Sequence, residues 1–125
     1  PFIDLSLSRR VFSTVQDLNK WAHFMDNPGW LNEKSIKLMK QNHQNRINEN
    51  MSYGYGWVVF NQNSKSKIGN LSINKDYIIH GGSTDGYKSM LININNGEYV
   101  ISFLSNVDRT NEIQLAQKIV NILIK

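Results

Sequence analysis

Tyr77-Ile78-Ile79-His80-Gly81-Gly82-Ser83-Thr84-Asp85-Gly86-Tyr87-Lys88-Ser89 is the stretch that decides how this chain folds and where its chemistry lies. The β-branched pair Ile78-Ile79 reads as an extended strand that ends in His80. Two glycines and two hydroxyl residues follow at once, and Gly86-Tyr87 leads into a second strand. Glycines here leave no Cβ in the way, so another backbone or a ligand can approach closely. A strand edge with free N–H groups and a histidine beside it suits an anion or a carbonyl oxygen. The same residues also read as a glycine-rich β-turn with a histidine exposed at a strand end. By itself the stretch leaves both readings open.

Working outward, a period of two begins at Tyr53 and predicts extended runs over Tyr53–Phe60, Lys67–Ile73, Tyr77–His80, Tyr87–Ile94 and Tyr99–Leu104. Polar turns separate them at Asn61-Gln62-Asn63-Ser64, Asn74-Lys75-Asp76 and Asn95-Asn96-Gly97. Connections this short imply antiparallel neighbours. The N-terminal third has the helical period instead. Ser13-Thr14-Val15-Gln16-Asp17 is a capping box, Leu18, Trp21, Ala22 and Met25 form an apolar face, and Asn27-Pro28-Gly29 stops the helix. A second helix starts near Asn32 and runs through Ile36, Leu38 and Met39. From Asn111 to Lys125, Ile113, Leu115, Ala116, Ile119, Val120 and Leu123 make a broad stripe that predicts a helix lying across one sheet face. The expected architecture is α+β: an antiparallel β-sheet, flanking helices and a C-terminal helix.

Composition narrows the function. The chain has 125 residues, a formal net charge of +4 and no cysteine. The basic residues stand singly among Asn, Gln and Ser, without the Lys/Arg stripe and interleaved aromatics that phosphate neutralisation needs, so no nucleic-acid partner is expected. The missing cysteines exclude a disulfide framework, a thiolate metal site and a cysteine nucleophile. His23 on the first helix, among residues read as core-facing, and His43 in an Asn/Gln run have no partner at metal-ligand spacing; neither a metal nor another cofactor is expected. No run approaches a membrane span.

The order of motifs resembles the β-lactamase-related serine hydrolases, the group of class C β-lactamases and D-Ala-D-Ala carboxypeptidase-like penicillin-binding proteins. The resemblance rests on five pieces in sequence: Ser13 to Leu18, Leu31 to Met39, Tyr53-Gly-Tyr-Gly-Trp57, His80-Gly81-Gly82 with Gly86-Tyr87-Lys88-Ser89, and Val100 to Asn106. It covers nearly the whole chain and implies the C-terminal part of a β-lactamase/transpeptidase-like fold. His80-Gly81-Gly82 stands where the family has Lys-Thr-Gly or His-x-Gly on the strand lining the cleft. The resemblance then implies that His80 and Gly82 belong to the catalytic strand, that the backbone N–H of Ser83 is one of two oxyanion-hole donors, and that Gly81, Thr84 and Tyr87 touch substrate.

The family's nucleophile lies in Ser-x-x-Lys at the start of a buried helix. Ser64-Lys65-Ser66-Lys67 spells that motif and Ser72-Ile73-Asn74 spells its usual companion, but the first falls in a polar turn where lysine stays solvated, and the spacing is too short for convergence on His80. Residues 1–125 are therefore expected to be the C-terminal segment of a hydrolase domain, inactive alone, with the nucleophile on a missing N-terminal half.

The implied parent forms an acyl-serine on a β-lactam, a D-alanyl peptide or a D-alanyl ester, works outside the cell or in a bacterial envelope beside peptidoglycan, and is membrane-anchored in some full-length forms. The alternatives are a catalytically dead ligand-binding module of the same fold, and an unrelated α+β interaction domain. A lone segment would expose apolar surface between Ile113 and Ile124, which favours a homo-oligomer. Asp85 reads as a turn residue before it reads as an acid or base partner of His80. Trp21, Trp30 and Trp57 read as core, with Trp57 near the cleft strand.

Overall fold

A computed structural model describes residues 11–27, 29, 31–43, 52–64 and 66–124. Pro28, Trp30, Lys65 and Lys125, all named above, lie outside the described residues. The elements in order are α1 (Val15–Asp26), α2 (Glu33–Met39), β1 (Val58–Phe60), β2 (Tyr77–Thr84), β3 (Tyr87–Ile94), β4 (Tyr99–Ser105) and α3 (Glu112–Leu123). The strands form one antiparallel sheet in the order β1-β2-β3-β4. This is the α+β architecture expected from the sequence.

Each helix starts at a residue suited to capping it. Thr14, Asn32 and Asn111 accept from the N–H groups of Asp17, Ser35 and Gln114 at 3.2, 2.8 and 3.0 Å. The two sheet faces bury different clusters. Val58, Phe60, Tyr77, Ile79, Met90, Ile92, Ile94 and Ile101 meet Ala116 and Val120 of α3. On the opposite face Val59, Ile78 and Leu91 meet Ala22 and Met25 of α1, together with Trp57. Ile92 and Ile94 are fully buried, and each such side chain contributes about 2–3 kcal/mol relative to exposure. The alternation assigns every strand residue to a face, and this is what places the candidate site.

Three sequence expectations are corrected. The run Lys67–Ile73 forms no strand: Gly69 turns it at φ +78°, and the N–H groups of Ile68, Leu71 and Ser72 go to side chains instead of a ladder. Leu71 donates to the Tyr77 hydroxyl at 2.7 Å and Ser72 to Gln117 Oε1 at 2.7 Å. The run Tyr53–Phe60 is a strand only from Val58; the preceding residues form a tight turn in which Tyr53 bridges Val58, Gly54 N–H donates to Trp57 O at 2.7 Å and Gly56 takes φ +77°. β2 runs on past His80 to Thr84, pairing Gly81 with Met90 and Gly82 with Ser89, so the reversal is the two-residue Asp85-Gly86 turn.

The core assignments also shift. His23 and Trp21 are exposed, because the buried stripe of α1 is Ala22 and Met25 with Leu18 packed against them, and neighbouring positions rotate away from it. Trp57 is core, as expected. On α3, Ile113, Ile119 and Ile124 pack inward while Leu115, Ile122 and Leu123 face outward.

Candidate active site

The direction of the backbone groups on β2 follows from its neighbours. Val59 N–H donates to Ser52 O at 2.8 Å, away from β2, so Val58 and Phe60 are the β1 residues that bond with β2. Their partners Ile79 and Tyr77 therefore turn their N–H and C=O toward β1. Alternation carries that direction to Gly81 and Ser83, where β1 has already ended at the Val58–Ile79 pair. The two-residue hairpin gives the same phase from the other side, since its closing pair Thr84–Tyr87 is hydrogen-bonded and Ser83–Lys88 is not. The N–H groups of Gly81 and Ser83 thus face a sheet edge that no strand among the described residues covers. Two donors in a row along an extended edge suit a carbonyl oxygen or an oxyanion.

Side chains divide by parity. His80, Gly82, Thr84 and Tyr87 share the α1 face with Ile78 and Leu91; Gly81 and Ser83 share the α3 face with Tyr77 and Ile79. His80 and Thr84 are separated along β2 by about 13 Å of strand rise. Thr84 and Tyr87 stand at the exposed hairpin tip, away from His80.

A Cβ on Gly82 would come within 2.4 Å of Ser89 Oγ, so that hydroxyl would have to turn aside. A Cβ on Gly81 would only touch Met90 at 3.4 Å. The Ser83 hydroxyl is engaged on its own face, accepting from Lys88 Nζ at 2.7 Å, and Lys88 pairs with Glu112 of α3 at 3.5 Å.

His80 is exposed, and its Nε2 lies 3.0 Å from the Tyr53 hydroxyl. Tyr53 was not among the residues singled out for the site. Its signal in the sequence was the pair of glycines at positions 54 and 56, which break the strand period and mark a turn. Asp85 is a turn residue whose side chain makes no hydrogen bond among the described residues; Gly86 N–H donates to Asp108 Oδ1 at 2.6 Å. His43 stacks on Tyr55 with ring centroids 4.3 Å apart. Among the described residues no cluster of His, Cys, Asp or Glu could hold a metal ion.

The Ser64–Lys67 motif sits in the loop after β1. Ser64 is buried in a bridge to Asn61, and Ser66 accepts from Ile68 N–H at 3.0 Å, so neither hydroxyl lies at the start of a helix. A surface depression between α2 and the Asn61–Ser64 turn contains no residue of the His80 strand. Its Lys40 is already engaged by Asp26 and Asn96, so the β2 edge is the better chemical site.

The Beta-lactamase family model matches residues 5–123. The chain belongs to the beta-lactamase family. No curated protein matches it. As a member of this family it has a serine-hydrolase-like fold, and the three helices and four-stranded antiparallel sheet formed by the described residues agree with that fold.

Proposed function

We propose that these 125 residues supply the strand side of the active site of a beta-lactamase-family serine hydrolase, with the attacking serine contributed by polypeptide outside them. The observation that carries this reading is the open edge of β2, where Gly81 and Ser83 direct N–H groups past the end of β1 with His80 beside them. Ser83 N–H is the oxyanion donor, and a donor of this kind typically contributes about 3 kcal/mol to the transition state. The serine attacks the carbonyl of a β-lactam, a D-alanyl peptide or an ester, its oxygen forming the new acyl bond as the amine or alkoxide departs. Water then hydrolyses the acyl-serine. The same reading puts the enzyme at a bacterial envelope, where D-alanyl substrates lie, and leaves the 125-residue chain alone without acylating activity.

The test is labelling of the full-length polypeptide by a fluorescent penicillin and by an activated ester. A covalent serine adduct is expected, formed about 100-fold to 1,000-fold more slowly in Ser83→Pro, which removes an N–H facing the free edge without costing a ladder bond. No adduct with either reagent would overturn the assignment.

A further inference from the structure

The contact between Tyr53 and His80 joins the turn before β1 to the candidate strand. The hydroxyl lies 3.0 Å from Nε2, and the rings meet edge to face with centroids 6.3 Å apart at 68°. Tyr53 is itself held at both backbone groups. Its N–H donates to Asn42 Oδ1 at 3.0 Å, and its C=O accepts from His43 N–H at 2.9 Å. The next turn is tied to α2 by Tyr55 N–H donating to Met39 O at 3.0 Å. This phenol is delivered to the imidazole by a fixed frame.

The direction of the proton follows from acid strength. A phenol is a stronger acid than a neutral imidazole N–H, and a bare imidazole nitrogen is a stronger base than a phenol oxygen, so O–H···N is favoured. Nε2 is then the unprotonated nitrogen and the ring hydrogen sits on Nδ1, which has no hydrogen-bond partner among the described residues.

We propose that Tyr53 is a positioning residue that holds His80 Nε2 as an acceptor, so that His80 serves the site as a hydrogen-bond donor through Nδ1–H and not as a general base through Nε2. The role in the site rests on the reading of the β2 edge given above; the tautomer does not. A base at Nε2 would have to give up the Tyr53 bond, whereas a donor at Nδ1 keeps it.

The test is ¹⁵N NMR of the 125-residue chain labelled at histidine, at a pH where the ring is neutral, with His80→Gln assigning the signal. The expected result is a protonated Nδ1 and a pyridine-like Nε2. Tyr53→Phe keeps the ring and its packing and is expected to move His80 toward the Nε2–H form that imidazoles favour in water. An Nε2–H tautomer in the unsubstituted chain, or no change in Tyr53→Phe, would overturn the proposal. The first measurement needs no variant, so misfolding of Tyr53→Phe leaves it decisive. Failure of penicillin labelling with the expected tautomer would remove the hydrolase reading and keep the pairing; labelling with the wrong tautomer would do the reverse.

Discussion

Asn93 Nδ2 donates to Asp26 Oδ2 at 2.5 Å, joining strand β3 to the last residue of α1 across 67 positions of chain. Asn93 is almost fully buried, and the rest of its amide is also used: Nδ2 reaches Ala22 O at 3.3 Å, and Oδ1 accepts from Gly97 N–H at 2.8 Å. Asp26 Oδ1 in turn takes Lys40, whose ammonium also reaches Asn96 Oδ1 at 3.1 Å. One buried amide therefore ties α1, the end of α2 and the β3–β4 turn together. Asn93→Ala leaves Gly97 N–H, Ala22 O and one Asp26 oxygen without their partner, and is expected to cost about 2–4 kcal/mol, read as a lower midpoint in urea unfolding. A loss below about 1 kcal/mol would mean water replaces the amide.

Burial pushes the Tyr77 phenol up to about 12 from the ordinary 10.0, with the Leu71 N–H bond pulling the other way. The ring stacks on Phe60 at 4.4 Å between centroids. Because the folded value is the higher one, the folded chain keeps a proton that the unfolded chain has already lost. The stabilisation is fully present below about pH 10 and disappears as pH rises toward about 12. The urea midpoint is expected to fall between about pH 10 and about pH 12, and to fall less in Tyr77→Phe. At neutral pH Tyr77→Phe is itself less stable by about 1–3 kcal/mol, since Leu71 N–H loses its acceptor. Equal alkaline slopes in the two proteins would sink the assignment to Tyr77.

Gly54 is the position where α2 and the Tyr53 turn come closest. A Cβ there would lie 2.1 Å from Met39 O, a backbone atom that cannot swing aside. Gly54→Ala is expected to destabilise by at least about 2 kcal/mol and to shift the His80 NMR signal, because Tyr53 must move with the turn. Gly56 gives the contrast. It has φ +77° and nothing within 4 Å of a Cβ, so Gly56→Ala should cost only about 1–2 kcal/mol of backbone strain and leave His80 unmoved. Equal effects of the two substitutions on His80 would disprove the coupling.

The parts of this fold that could be read from the sequence are those set by local pattern. Thr14 with Asp17, the Leu18–Ala22–Met25 stripe and the run Ile113–Val120 specify their helices through capping and period, and the strands β3 and β4 follow from alternation between clear turns. Lys67–Ile73 reads as extended because Leu71 and Ile73 alternate, but Gly69 turns the chain at φ +78° and Ser72 N–H is taken by Gln117, 45 residues away. His80-Gly81-Gly82 was legible as a candidate site, but its continuation as strand was not, since two glycines weaken any strand signal and only pairing with Ser89 and Met90 settles it. Tyr53 was hidden for a different reason. Its partner is 27 residues away, and nothing in the spelling of a turn tyrosine says which ring it meets.

Gly82 and Ser89 face each other across β2 and β3, and the pair gives the sharpest test of the strand register at the candidate site. A Cβ on Gly82 would sit 2.4 Å from Ser89 Oγ but 3.8 Å from Ser89 Cβ, so the conflict is with the hydroxyl oxygen alone. The hydroxyl can turn to another staggered position, so Gly82→Ala should cost about 1 kcal/mol or less. Ser89→Ala removes the oxygen and should be nearly neutral on its own, and the double variant should recover the loss in a double-mutant cycle of thermal or urea unfolding. A loss in Gly82→Ala well above about 1 kcal/mol that Ser89→Ala does not reduce would mean that something other than this hydroxyl faces Gly82. The register that points Ser83 N–H at the sheet edge would then be wrong as well, because a slip of one residue exchanges every inward and outward group along β2.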